Sequence, residues 1–199
     1  MEIEIKLRLA GREDHDKAAA CFGGEPKALH HQENFFFDGK GGELTSQRVV
    51  LRVRFYNTDE RAVVTVKGKA VLADGVGKAS EIEEAIDPAL ARAFVADPDA
   101  MLSSDVKILR DTCARFAIGG LRCLGGFRNV RKEFDWTDGL LIELDETQFE
   151  WGTVYEVECE TTNPDRIKPL LEAALTQGGA RFQYSKVTKF QNFVNRTLE

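Results

Sequence analysis

The chain of 199 residues carries 27 Lys and Arg against 33 Asp and Glu, a formal net charge of −6, which speaks against general affinity for nucleic acid. This length suits one domain over residues 1–199, able to bury roughly two-thirds of its unfolded surface, and 43% hydrophobic with 30% charged residues excludes a disordered chain. No apolar run approaches the ~20 residues of a membrane span, and the charged start shows no secretory pattern, so a cytoplasmic protein with no membrane partner is expected.

In chain order, the first expected strand is Glu2 to Leu9, where Glu2, Glu4, Lys6 and Arg8 alternate with Ile3, Ile5, Leu7 and Leu9. An Ala-rich helix follows over Asp14 to Phe22. Gly39-Lys40-Gly41-Gly42 reads as a hairpin loop, since it does not match a phosphate-binding P-loop. Around 48–56, Val49, Leu51, Val53 and Phe55 oppose Arg52 and Arg54, and around 62–69 Lys67 and Lys69 share one face. Glu81 and Glu83 flank Ile82 in the next strand, although the acidic run to Glu84 leaves its register open. Helices are expected over Pro88 to Val95 and Ser103 to Phe116. Gly125-Gly126 marks a turn or bulge before a strand at 127–136 that carries Arg131. Glu143 and Asp145 alternate with Ile142 and Leu144, and Glu156, Glu158 and Glu160 share one face of 151–160. Asn163-Pro164 opens a helix to about Leu175, and a short one closes the chain near Val187 to Phe193. His15, His30 and His31 and the scattered Cys21, Cys113, Cys123 and Cys159 show no ligand or redox spacing and read as structural, the cysteines reduced.

For one strand alone, a charged side is ordinarily a wetted side. Here Glu, Asp, Lys and Arg recur at the alternating positions of six or more strands, while every helix needs an apolar face to cover. The helices therefore claim the greasy side of the sheet. If the sheet curls, its charged side lines a cavity, and about eight tilted strands close a barrel around a small ligand. Buried charges need partners. Clustered carboxylates call for a hard cation such as Mg²⁺ or Mn²⁺, clustered Arg and Lys call for a polyanion, and a metal-bound polyphosphate satisfies both.

These residues resemble the triphosphate tunnel metalloenzymes, the CYTH superfamily, whose first strand bears Glu-x-Glu-x-Lys, here Glu2, Glu4 and Lys6. The resemblance runs on through Arg52-x-Arg54, Lys67, Glu81, Arg131, Asp145 in Leu144-Asp145-Glu146-Thr147, and Glu156-x-Glu158. Cys123-Leu124-Gly125-Gly126-Phe127 and Thr188-Lys189-Phe190 look like the short plant members, which act as inorganic tripolyphosphatases. It implies an α+β fold, a closed or nearly closed eight-stranded antiparallel β-barrel forming a tunnel with a charged interior and helices packed outside. It also implies hydrolysis of inorganic tripolyphosphate to pyrophosphate and phosphate by a monomer with one or two Mg²⁺ or Mn²⁺ ions.

By the same resemblance, Glu2, Glu4 and Glu158 would hold the principal cation, with Asp145, Glu156 and Glu160 available to a second cation or its waters. Lys6, Arg8, Arg52, Arg54, Lys67, Arg131 and Lys189 would grip phosphate. Lys6, Arg52, Arg54, Glu81 and Arg131 form the expected catalytic set. Lys69 could replace Lys67, Lys186 could replace Lys189, and Arg8 and Glu160 read equally as exposed ions at strand ends. The rivals are thiamine triphosphatase, another nucleoside or organic triphosphatase or adenylate cyclase on the same scaffold, and a module that holds polyphosphate without turnover. Phe35, Phe36, Phe37 and Trp151 keep the thiamine reading open.

Overall fold

The computed structural model describes residues 1–199. In chain order its elements are β1 (Glu2–Leu9), α1 (Arg12–Cys21), β2 (Ala28–Gly39), α2 (Glu43–Ser46), β3 (Val50–Tyr56), β4 (Arg61–Lys67), β5 (Val71–Ala73), β6 (Val76–Ala79) and β7 (Glu81–Ile86). They continue with α3 (Pro88–Ala96), α4 (Lys107–Arg115), β8 (Leu121–Asp135), β9 (Leu141–Phe149), β10 (Gly152–Glu160), α5 (Pro164–Gln177), β11 (Phe182–Tyr184) and α6 (Lys189–Asn195). No helix is long and apolar enough to cross a membrane.

The α+β class is as expected, but the sheet has eleven strands and hydrogen bonds do not close it into a ring. The expected count of eight missed β5, β6 and β11, which are three or four residues long and too short to show alternation. The chain forms two compact units. The first comprises Met1–His30, Val71–Lys78 and Asn129–Glu199, and the second His31–Ala70 and Ala79–Arg128.

In the first unit β5, β6, β1, β10, β9 and β8 pair in that order, with β11 also on β1. The odd residues of β1 turn to one side, where Ile5 and Leu7 are fully buried with Leu144, Val157 and Cys159 against Ala18 of α1 and Ile167, Leu171 and Leu175 of α5. Fully burying each such side chain contributes about 1.5–3 kcal/mol, which is what commits the even residues to the opposite face. Proline at the first position and a cap from Asn163 Oδ1 to the Arg166 amide start α5 where expected.

In the second unit β2, β3, β4 and β7 are consecutive neighbours. Leu51, Val53, Phe55, Ala62 and Val64 pack against Ala91, Phe94, Met101 and Leu109 of the helical segment. The helix expected from Ser103 starts later, at Lys107. Its first amides are capped from outside the helix, by Glu84: the Ile108 N–H donates to Oε2 at 2.8 Å. A serine signal is local, whereas this cap is supplied by a neighbouring strand.

Gly125-Gly126 lies inside β8, which begins at Leu121 and not near 127. Gly125 has φ +93°, and a Cβ at Gly126 would stand 1.6 Å from the Asn34 carbonyl oxygen. The pair lets two backbones approach, so the strand passes through the expected bulge without stopping. Gly39–Gly42 opens the connection between the antiparallel pair β2 and β3, as the expected hairpin loop does, and leads into α2 within it, with Gly42 left-handed at φ +80°.

Candidate functional site

The charged face of the first unit is assembled by strand register. Lys6 lies opposite Glu158 and Arg8 opposite Glu156 on the β1–β10 ladder, and Glu156 lies opposite Asp145 and Glu158 opposite Glu143 on β10–β9. Directly paired residues of antiparallel strands point to the same side, with Cβ atoms about 5 Å apart. Acids and bases that are distant in sequence thus become neighbours.

Three cations converge there. Lys6 Nζ donates to Glu158 Oε1 at 2.5 Å and sits 3.0 Å from Glu4. Arg131 donates from Nε to Asp145 Oδ1 at 2.8 Å and from Nη2 to Asp145 Oδ2 at 2.6 Å. It also reaches Glu158 Oε2 at 2.8 Å and pairs with Glu143 through Nη1. Lys189, at the start of α6, donates to Asp145 Oδ2 at 2.6 Å and Glu158 Oε1 at 2.5 Å, and stands 3.3 Å from Glu156 Oε2. Capping by Thr188, whose Oγ1 accepts from the Gln191 amide while Gln191 returns a bond to the Thr188 amide, sets that helix start. Lys186 is exposed, so of the two expected lysines it is Lys189 that joins the cluster.

Arg8 is buried, not an exposed strand end. It pairs with Glu156 Oε1 at 3.3 Å, and its guanidinium nitrogens make no hydrogen bond. Ser185 Oγ donates to the same Glu156 oxygen at 2.8 Å, while Glu156 Oε2 is buried without a hydrogen bond. Glu2 is partly buried at the start of β1, and Glu160 ends β10 exposed, opposite Glu4.

Electrostatics follow from burial and proximity. Burial opposes the charge on Lys6, but Glu158, Glu4 and Glu156 outweigh it and raise its pKa well above the ordinary value. Burial alone would push up Asp145 and Glu158, yet Arg131 and Lys189, with Lys6 at Glu158, hold both carboxyls below the usual range. Glu143 behaves oppositely. Burial, reinforced by Glu158 and Asp145, pushes it up to about 7 against the pull of Arg131.

The second unit holds its own charged face. Arg52 Nη2 donates to Thr65 Oγ1 at 2.9 Å and to Glu83 Oε1 at 3.3 Å, with Glu81 at 3.7 Å. Lys67 pairs with Glu81 at 2.6 Å, whereas Lys69 is exposed. Arg54 Nε donates to Asn34 Oδ1 at 2.8 Å. Burial and the adjacent Arg54 push Arg52 down to about 10 despite Glu81 and Glu83. The open register at 81–84 resolves through pairing: Glu81 opposite Lys67 and Glu83 opposite Thr65 turn to the charged face, and Glu84 caps α4.

The expected set omitted Glu143, Asn129, Thr147, Ser185, Asn34, Thr65 and Glu83. Period two could have found several: Asn129 precedes Arg131 by two residues, and Glu143 and Thr147 flank Asp145 by two. Phe36 and Phe37 are buried, and Trp151 stacks on Phe149 and donates to the Thr197 carbonyl oxygen.

The family model described as the CYTH domain matches residues 1–193. Among solved structures, the Hippeastrum protein HpAC1, described as an adenylyl cyclase candidate that reveals a dominant triphosphatase activity, is 40% identical with TM-score 0.96 over 100% of this chain and 98% of that one. A Bacillus halodurans protein described as an adenylate cyclase candidate is 20% identical with TM-score 0.74, covering 97% of each chain. The PH1819 protein of Pyrococcus horikoshii is 18% identical with TM-score 0.63, over 97% of this chain and 99% of that one. These last two share the fold. No curated protein matches. With its family model spanning nearly every residue and its ionic strands in the expected order, the chain belongs to the CYTH domain family.

Proposed function

We propose that the chain is a metal-dependent triphosphatase that cleaves inorganic tripolyphosphate to pyrophosphate and phosphate. One observation carries the reading: the buried Lys6 and Arg131 and the partly buried Lys189 all sit on the same carboxylates, Glu158 above all. A metal–polyphosphate offers every member of that cluster a new partner, the cation for the carboxylates and phosphate for the bases. The 40% identity to a protein described as predominantly a triphosphatase supports it.

The donor set suits Mg²⁺ or Mn²⁺ because it is all carboxylate oxygen, and Glu156 Oε2 is buried without a hydrogen bond. As the side chains stand, no three His, Cys, Asp or Glu residues converge on a metal position; Lys6 and Lys189 occupy the carboxylates instead. Glu2, Glu4 and Glu158 would hold the principal cation, and Asp145, Glu156 and Glu160 a second or its waters. Bound metal would neutralise phosphate oxygens and lower the pKa of the attacking water. Lys6, Arg8, Arg131 and Lys189 grip phosphate and stabilise the charge that develops in the transition state. Arg52, Arg54 and Lys67 are assigned to the same substrate, with Glu81 orienting Arg52 and Lys67. A single domain over residues 1–199, a cytoplasmic monomer and the absence of nucleic-acid or membrane partners belong to the same proposal.

Because two relatives are described as adenylate cyclase candidates, ATP is the leading alternative substrate. Purified protein is assayed with tripolyphosphate, ATP and thiamine triphosphate in Mg²⁺ or Mn²⁺, with and without chelator. Chelator-sensitive hydrolysis with tripolyphosphate preferred is the expected result, lost in Glu4→Gln and Glu158→Gln. Preference for ATP with cyclic AMP formed, preference for thiamine triphosphate, or tight binding without turnover each overturns it.

A further inference from the structure

Glu156 is 1% exposed, and its two carboxylate oxygens are held unequally. Oε1 accepts from Ser185 Oγ at 2.8 Å and pairs with Arg8 Nη2 at 3.3 Å. Oε2 is buried without a hydrogen bond, with Lys189 Nζ 3.3 Å away. A buried acceptor without a donor is unfavourable, so the open oxygen beside a doubly held one marks where an incoming partner fits. Ser185 is delivered by backbone pairing. Tyr184 lies opposite Leu7 on the β1–β11 ladder, and the Ser185 amide extends that ladder by donating to the Lys6 carbonyl oxygen at 3.2 Å. Ser185 therefore stands beside Lys6 on the charged side and is itself 4% exposed. Its hydroxyl has a single proton, which goes to Oε1, and it brings no positive charge that a metal would have to displace.

We propose that Ser185 is a positioning residue that keeps Glu156 from closing on Arg8 as a two-bond fork, leaving Glu156 Oε2 for a cation and the Arg8 guanidinium for phosphate. This rests on the triphosphatase reading and adds to it a residue from β11. The terminal torsion of a glutamate is broad and two-fold, so nothing within Glu156 itself decides which way its oxygens point. Arg8 is buried with its guanidinium nitrogens free of hydrogen bonds, and a guanidinium takes a carboxylate most strongly through both oxygens at once. Such a fork would consume Oε2 and two Arg8 nitrogens together. The Ser185 bond holds Oε1 and prevents that rotation, so one neutral hydroxyl keeps both a metal-binding oxygen and a phosphate-binding cation available.

The test compares Ser185→Ala and Ser185→Thr with wild type by Mn²⁺ affinity from paramagnetic resonance without substrate, by steady-state kinetics on tripolyphosphate and by thermal melts. Ser185→Ala should weaken Mn²⁺ binding about tenfold, as loss of an outer partner of a ligand does, and raise KM several-fold. Ser185→Thr, which keeps the hydroxyl, should bring both back near wild type. Mn²⁺ affinity in Ser185→Ala that is unchanged or higher, with KM raised, would make Ser185 a direct phosphate contact and overturns the proposal. A lowered melting temperature with Mn²⁺ affinity and KM both unchanged overturns it as well, by making the bond merely structural, and so does a loss in Ser185→Thr as large as in Ser185→Ala. If Ser185→Ala does not fold, Ser185→Cys, of similar shape and a weaker donor, takes its place. If wild type binds Mn²⁺ but does not turn over tripolyphosphate, the functional reading fails while the Mn²⁺ comparison still decides the role of Ser185; if wild type binds no Mn²⁺, both fail.

Discussion

Replacing Lys189 with Ala separates the stabilising and the functional use of one charge. Its ammonium lies 2.6 Å from Asp145, 2.5 Å from Glu158 and 3.3 Å from Glu156, with the side chain 14% exposed. Removing one member of a buried ion pair costs about 3–5 kcal/mol, because the remaining charge keeps its desolvation penalty. Arg131 and Lys6 still hold Glu158, so the low end, about 3 kcal/mol, is expected. For a chain of this length that is a fall of about 6–12 °C in Tm. The sign of the metal effect is more telling. In wild type a cation must displace both Lys6 and Lys189 from Glu158 Oε1, whereas in Lys189→Ala only Lys6 competes there, so millimolar Mg²⁺ should raise Tm more in the variant. Loss of one charged phosphate contact, worth about 1.5–3 kcal/mol, should lower kcat/KM on tripolyphosphate roughly 10–150-fold. Calorimetric melts with and without Mg²⁺, beside initial rates for Lys189→Ala and Lys186→Ala, measure all three. Unchanged kcat/KM in Lys189→Ala with a loss in Lys186→Ala would refute the placement of α6, and a smaller Mg²⁺ shift in the variant would refute the competition.

Glu143 is raised from 4.5 to about 7 in the fold, so the native state binds this proton more tightly than the unfolded chain. Its favourable contribution is complete below about pH 4.5 and lost as pH rises through about 7; Glu143→Gln should flatten that part of the Tm-versus-pH curve and stabilise the protein at pH 8. Asp145 and Glu158, whose carboxyls are lowered, act with the opposite sign: stability present above about pH 4 is lost as pH falls below it. Gly126→Ala must move β8 away from the Asn34 carbonyl oxygen, which the new Cβ would meet at 1.6 Å, and should cost about 2–4 kcal/mol by urea denaturation. Arg52→Ala should raise the KM for tripolyphosphate about tenfold while leaving the melting response to Mg²⁺ near wild type.

Much of the charged face was legible because alternation is a local property. Lys6 lies beside Ile5 and Leu7, and once those two fill the core, Lys6 can only turn the other way. Arg52 and Arg54, Glu81, Arg131, and Glu156 and Glu158 could be read for the same reason. Asn129, Thr147 and Thr65 do not stand out in the sequence, because uncharged polar residues look like ordinary solvated positions until their partners are known. The three shortest strands carry no periodic signal, and the start of α4 has no local signal because its cap comes from Glu84 on another element.

The sequence by itself determined which residues share a face and which family the pattern resembles, since both are written in spacing along one strand at a time. Partnership was decided only by tertiary structure. Strand register set Lys6 against Glu158 and Glu158 against Glu143, the capped start of α6 delivered Lys189 in place of Lys186, and pairing across β4 and β7 settled which glutamates turn inward. The extra strands and the unclosed hydrogen-bonded sheet came from the same source, because pairing joins residues far apart in the chain and no local pattern encodes which strand lies beside which.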